Sequence, residues 1–226
     1  MSAHAGELGR ALEFFPALNE IPFVRHAFVA RIPGIDVATD RAAALARLEA
    51  AHRALRAELG LGEKFLATSE QVHGNEIAVI DSAAGAQRCF KGADGLITDQ
   101  PGVSLGIYVA DCCAVYLVDP VRRCLGLVHS GKKGTELAIV EKAIQGLQEN
   151  FGSAPRDLIV QLSPCIRPPH YEIDFASEIV RQARRAGVEQ VHDSGLCTAS
   201  DLARYYSYRA EKARTGRMLA LLALRD

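Results

Sequence analysis

The stretch from Gly92 to Thr135 constrains this chain more than any other. It reads GADGLITDQPGVSLGIYVADCCAVYLVDPVRRCLGLVHSGKKGT. Three apolar runs stand out, Val103 to Ala110, Ala114 to Val118 and Cys124 to Val128. They read as buried strands, and Asp119-Pro120 separates the last two as neighbours that pair. Polar residues interrupt these runs where a plain core would not place them. Asp111 and Cys112 stand between the first and second, and His129 ends the third. Strands fix the direction of side chains at their ends, which suits such positions to a site. Upstream, Gln71-Val72-His73-Gly74 adds a second histidine. His73, Cys112 and His129 therefore offer two imidazoles and a thiol, a donor set for zinc or copper. The plainer alternative is two core histidines and a core cysteine. Cys113 follows Cys112, and neighbours on an extended strand face opposite ways, so only one can reach a shared site.

The rest of the chain alternates helical and extended patterns. Residues 1–20 read as an N-terminal arm, with a short helix from Glu7 to Phe15. Pro22 to Ile32 is an expected strand. A helix is expected from Thr39 or Asp40 to Leu59, with a stripe of Leu45, Leu48, Leu55 and Leu59 and a stop at Gly60. His52 falls within that stripe and reads as a partly buried histidine with its hydrogen bonds satisfied. Phe65 to Thr68, Glu76 to Ile80, Leu96 to Thr98, Asp157 to Leu162 and Arg217 to Leu224 read as strands. Thr135 to Phe151 reads as one amphipathic helix with Leu137, Val140, Ile144, Leu147 and Phe151 on its inner face. A further helix starts at the Asp174 cap and stops at Gly187, and a short one starts at Ser200-Asp201. The expected architecture is a single α+β domain over residues 21–226, with central sheets flanked by helices. Strand order is not readable from these patterns.

Charge and cysteine usage narrow the function. The 226 residues carry 26 basic and 27 acidic side chains, so no basic footprint points to nucleic acid or an anionic membrane. No apolar run approaches the ~18 residues of a membrane span. Glu7 and Glu13 stand where a signal peptide would be basic and then apolar. Six cysteines without a Cys-x-x-Cys pair read as reduced thiols of a cytoplasmic protein, four of them ordinary buried residues.

The segments QVHG (71–74), ADG-LITD (93–99), ADC (110–112) and GLVHSGKKGT (126–135) resemble the bacterial laccase-domain family. That family is also called the multicopper polyphenol oxidase or peptidoglycan-editing-factor family. LSPCIRPPHYEID (162–174), Cys197-Thr198 and YYSYRAEKARTGRM (205–218) resemble its later motifs, so the likeness runs from about Phe23 to the end. The resemblance implies His73, Cys112 and His129 as metal ligands, with zinc expected ahead of copper. It implies an enzyme that cleaves adenosine with phosphate or deaminates it with water, and a role in correcting peptidoglycan precursors. The implied partners are a purine nucleoside or its phosphorylated derivative, and phosphate.

Two rival readings differ in class. A copper-dependent phenol oxidase would need many histidines for a trinuclear cluster, and the chain has seven and no His-x-His pair. A catalytically degenerate paralogue would keep the metal site and only bind. Asp111 is the acid–base candidate, or else a carboxylate that braces a ligand or caps a turn. Arg209 and Arg217 are candidates for phosphate or ribose binding, or surface ion pairs. Arg31 lies where the family often has an arginine. Where the family usually reads His-Ala-Gly-Trp-Arg-Gly-Thr, this chain has His129-Ser-Gly-Lys-Lys-Gly-Thr135, and it contains no Trp. The family's Cys-Tyr-Glu-Val is His170-Tyr-Glu-Ile173 here. Lys132 and Lys133, just before an expected helix start, are solvated or favour an anionic ligand.

Overall fold

A computed structural model describes residues 9–81 and 89–225. In chain order its strands are β1 (Leu12–Glu13), β2 (Val24–Val29), β3 (Phe65–Ser69), β4 (Glu76–Ile80), β5 (Cys89–Phe90) and β6 (Ala93–Thr98). They continue as β7 (Val103–Val109), β8 (Cys113–Asp119), β9 (Cys124–Ser130), β10 (Ile159–Leu162), β11 (Gln190–Asp193) and β12 (Met218–Leu224). The helices are α1 (Pro16–Asn19), α2 (Arg41–Glu58), α3 (Lys132–Glu136), α4 (Ile139–Phe151) and α5 (Phe175–Arg185).

The strands form two mixed sheets of six, ordered β1-β2-β12-β7-β3-β5 and β11-β10-β8-β9-β6-β4. The pair expected from Asp119-Pro120 is a hairpin, with Ala114 opposite His129 and Asp119 opposite Cys124. Asp119 closes it by accepting the N–H groups of Val121 and Arg122 at 2.8 and 2.9 Å.

Alternation along β8 explains the layers. Ala114, Tyr116 and Val118 join one apolar cluster, while Cys113, Val115 and Leu117 join another. The first cluster lies between the sheets, since it also holds Leu105, Ile107, Leu219 and Leu221. The second packs the other face of the β8 sheet against α4 and α5, through Ile144, Leu147 and Ile179. Both faces of β8 and β9 are covered, which is why they read as unbroken apolar runs. The Tyr116 hydroxyl donates to the Ala27 carbonyl at 2.9 Å, joining β8 to β2 of the other sheet. The result is a single-domain α+β fold with helices flanking central sheets.

Several expectations are corrected. The helix expected over 135–151 is two, α3 and α4, broken at Ala138, which takes a left-handed φ of 55°. The break turns Leu137 outward, 43% exposed, and lets Ile139 and Ala143 face inward instead. Lys132 and Lys133 are therefore the first residues of α3, not the residues before a helix. Leu12–Glu13 is a strand paired to β2, not part of a helix, while Glu7 lies outside the described residues. Residues of the expected arm are anchored, with Ala11, Phe15 and Leu18 buried. Ser200 ends a 3-10 turn, Thr198–Ser200, rather than starting a helix. β2 and β10 are shorter than expected and β6 longer, and β1, β5 and β11 carry too little pattern to be read. His52 is buried, but neither ring nitrogen has a hydrogen-bond partner among the described residues. None of the six cysteines forms a disulfide among the described residues, yet only Cys113, Cys124 and Cys165 are buried, Cys89 being exposed.

Candidate metal centre and its cleft

The chain passes from one sheet to the other at two places that matter here. One is the loop from β3 to β4, which carries His73; the other is the turn from β7 to β8, which carries Asp111 and Cys112. His129 sits near the end of β9. One nitrogen from each histidine and the Cys112 sulfur all lie within 4.8 Å of one another. The two imidazole rings meet edge to face with centroids 4.9 Å apart. Cys113, one residue on, points into the core beneath α4 and α5, as alternation requires.

One buried carboxylate organises both histidines. Asp94, at the start of β6, lies 2.8 Å from His129 Nδ1. It also accepts the N–H groups of Val72, His73 and Gly74 at 3.1, 2.9 and 2.7 Å, which pins the His73 loop. Burial pushes the Asp94 carboxyl up, but His129 and the backbone donors outweigh it and hold it below its usual range. His129 Nε2 is left for the cleft, the arrangement in which an outer carboxylate orients a ligating imidazole. Gln71 braces the same loop. Its side-chain amide donates to the Tyr108 carbonyl at 2.5 Å and accepts the Tyr108 N–H at 3.1 Å.

The thiol and imidazole perturb each other. Burial would raise the Cys112 thiol, but the charge on His129 and hydrogen bonds from both histidines draw it down to about 6. Burial would lower His129, but Cys112 and Asp94 bring it up to about 9. The pair thus favours the thiolate, the form that binds metals. Gly131 is required beside it, because a Cβ there would lie 2.5 Å from Cys112 Sγ.

The trio opens into a cleft of about 600 Å³. Tyr108, Tyr171, Phe175 and Tyr208 give it aromatic walls. Among the described residues seven non-glycine positions have positive φ, and five of them (Gln71, His73, Asp111, Lys212 and Ala213) line this cleft. Such concentration of disfavoured backbone is typical of functional sites.

Asp111 is on the cleft wall, with φ of 82°. Its Oδ1 accepts the Thr198 hydroxyl and its Oδ2 the Arg209 N–H, both at 2.7 Å. Lys132, Arg209 and Arg217 line the cleft too, whereas Lys133 and Arg31 are not among its lining residues. Arg31 instead pairs with Glu211 at 2.7 Å and lies over the Tyr206 ring. Arg209 pairs with Glu172 at 3.0 Å on the outer rim. Sequence reasoning missed Asp94, Gln71 and Arg41. A charged residue opening an apolar strand was the available signal for Asp94. Arg41 gives none, since it looks like any first-turn helix residue.

A two-sheet α+β fold with a His-Cys-His group where the chain crosses between sheets defines a laccase-like class of protein. The chain belongs to the family described as multi-copper polyphenol oxidoreductase laccase, whose model matches residues 33–178 and 172–225. A purine nucleoside phosphorylase of Deinococcus radiodurans is 31% identical over 234 residues, covering 89% of each chain. Purine nucleoside phosphorylase YlmD of Geobacillus stearothermophilus is 32% identical over 196 residues, 70% of this chain and 71% of the relative. The fold matches the hypothetical protein YfiH of Bacillus licheniformis with a TM-score of 0.82 at 21% identity, covering 95% of this chain and 97% of that one. It also matches the structure of YlmD from Geobacillus stearothermophilus, with a TM-score of 0.78 at 24% identity over 96% of this chain and 99% of that one.

Proposed function

We propose that this chain is a zinc-dependent purine nucleoside enzyme that splits adenosine with phosphate, deaminates it with water, or does both. The observation that carries the reading is the convergence of His73, Cys112 and His129 at an aromatic-walled cleft. The relatives' names, purine nucleoside phosphorylase, support the substrate class. The donor set fits a metal: a thiolate-favouring cysteine, and a histidine whose Nδ1 is held by a buried carboxylate. Two nitrogens and a thiolate suit zinc. A blue-copper centre would add a weak axial methionine, but Met218 is buried in the inter-sheet core and does not line the cleft.

A metal held by the trio would supply a Lewis acid at this end of the cleft. The aromatic side chains offer faces on which a purine stacks, worth roughly 1–3 kcal/mol per base. In phosphorolysis a phosphate oxygen bonds to ribose C1′ as the bond from C1′ to the purine nitrogen breaks. The electron pair leaves with the purine, which takes up a proton. In deamination a water oxygen bonds to the carbon bearing the amino group, and that group leaves as ammonia. Asp111 is the group we assign to the proton in both cases. Thr198 and the Arg209 N–H fix its carboxylate while each oxygen keeps a second lone pair.

The test is product analysis on adenosine with and without phosphate. Adenine is expected with phosphate, and inosine wherever water is the acceptor. Asp111→Asn and Cys112→Ser should each lose most of the product, the latter together with its zinc. Yields no higher than those of a metal-stripped control would leave a binding protein rather than an enzyme.

A further inference from the structure

The sheet that holds β2 has a gap at its edge. β1 pairs with β2 only at Phe28 and Val29. From Phe14 the chain leaves for α1, so Val24 to His26 have no strand beside them on that side among the described residues. A pocket of about 340 Å³ opens there, at the lower end of the volumes that ligand sites take. It shares no lining residue with the metal cleft.

His26 forms the inner wall. It is only 5% exposed, with its ring stacked on Phe15 and edge to face against Phe14 and Tyr116. Its Nε2 accepts the Phe15 N–H at 2.8 Å. That bond needs a lone pair on Nε2, so the neutral ring carries its proton on Nδ1. Burial draws the pKa down to about 4, which keeps the ring neutral. The Nδ1–H has no acceptor among the described residues. Nor is it closed off in the core, as both His52 nitrogens are; what it meets is this pocket. A largely buried donor without an acceptor is unfavourable, and an acceptor seated in the pocket removes that cost.

The other walls define the acceptor. Arg25, beside His26 on β2, and Arg225, just past β12, both line the pocket and are exposed. Neither has a carboxylate partner among the described residues. Arg225 Nε donates to the Val24 carbonyl at 3.3 Å, which leaves its two terminal nitrogens uncommitted. Glu58, at the end of α2, is the one carboxylate among the lining residues. Two guanidiniums against one carboxylate leave a single positive charge, which complements a monoanion better than a dianion. Phe14, 48% exposed, and Leu59 add an apolar rim. We propose that this pocket binds a small monocarboxylate with a flat apolar body. The carboxylate accepts the His26 Nδ1–H at its base and forked N–H groups from Arg25 and Arg225, while the body lies against the Phe14 ring. The site is independent of the nucleoside-enzyme reading and does not rest on it.

The experiment is calorimetric titration of the purified, metal-bearing protein with sodium benzoate and with benzamide, which has the same ring and no charge. NMR of the histidine side chains follows the same titration. Arg25→Gln, Arg225→Gln and Cys112→Ser are run beside the parent chain, the last to detect a carboxylate held at the metal. Both arginines are exposed, so their variants test the site without disturbing the core. Benzoate should saturate one site, bind at least about tenfold tighter than benzamide, and weaken at least about tenfold in each arginine variant but not in Cys112→Ser. The His26 proton should reside on Nδ1 and its resonance should move downfield as benzoate fills the site. His26→Phe, which keeps an aromatic ring between Phe15 and Tyr116, should abolish binding; if it folds poorly, the NMR signal of the parent chain carries the same test. Saturable binding that both arginine variants leave untouched, equal affinity for benzamide, or loss in Cys112→Ser alone would overturn the proposal by placing the ligand elsewhere. A His26 proton on Nε2, or no saturable benzoate binding, overturns it as well.

Discussion

Asp94 has no access to the cleft's contents except through its neighbours, yet it sets both histidines. Its carboxylate takes three backbone N–H groups from the His73 loop and faces His129 Nδ1. Asp94→Asn keeps the volume, removes the charge opposite His129 and turns one acceptor atom into a donor. Affinity for a metal at the trio should fall by about 10–100-fold, the effect of removing a carboxylate behind a ligating histidine. Competition with a chelator measures it, and unchanged affinity would show that the loop holds without its anchor. His52 makes a second prediction. Burial lowers its pKa to about 4. The unfolded chain therefore takes up a proton below about pH 6.5 that the folded chain refuses until about pH 4. Stability is full above that window and is lost as pH falls through it, by about 3 kcal/mol for this one residue. His52→Phe should flatten that part of the acid limb in urea titrations at several pH values. His26, lowered to about 4 in the same way, keeps its own share of the loss in either chain.

The break between α3 and α4 shows how an element is decided by what it must reach. A single helix from Thr135 would have carried Leu137 inward. Ending α3 at Glu136 and restarting at Ile139 instead lays Ile139, Val140, Ala143, Ile144 and Leu147 on the β-sheet. Ala138 bears the cost, with a left-handed φ that a Cβ disfavours. Ala138→Gly should stabilise the protein by about 1 kcal/mol, less whatever the added freedom of the unfolded chain takes back. Thermal unfolding checks it, and a lower midpoint would mean that the αL strain is negligible here. α2 is ordinary by contrast. Asp40 accepts the N–H groups of Ala42 and Ala43, and Gly60 closes it with φ of 70°.

At the level of the molecule, two sheets share one core, and the site lies where the chain crosses from one to the other. The tyrosine that spans them is a probe of that contact. Tyr116 is fully buried, and its hydroxyl meets the Ala27 carbonyl of the opposite sheet. Tyr116→Phe should cost about 0.5–1.5 kcal/mol, the net worth of a typical buried hydrogen bond. Because the trio draws His73 and Cys112 from different crossings, loosening the sheets should also weaken binding of a metal at the trio. Denaturation with and without chelator reads both effects; loss of stability with intact metal affinity would uncouple the site from the sheet contact. No helix among the described residues is long and apolar enough to cross a membrane.

Local chemistry made much of this legible in advance. The β8–β9 hairpin followed from two apolar runs around Asp119-Pro120, and the α2 and α5 boundaries from their caps and glycines; Cys112 and His129 stood out at the ends of apolar runs, while the choice of Cys112 over Cys113 and the ligand role of the trio came from the family resemblance. These are short-range effects, set by a residue and its near neighbours in the chain. Strand order, the break at Ala138 and the exposure of Cys89 were not readable, because each depends on which distant surface an element packs against. The same holds for the pinning of the His73 loop by Asp94 and for the meeting of Arg41 and Arg217 at one cleft. Both join residues far apart in sequence, and proximity of that kind exists only once two sheets have closed on a common core.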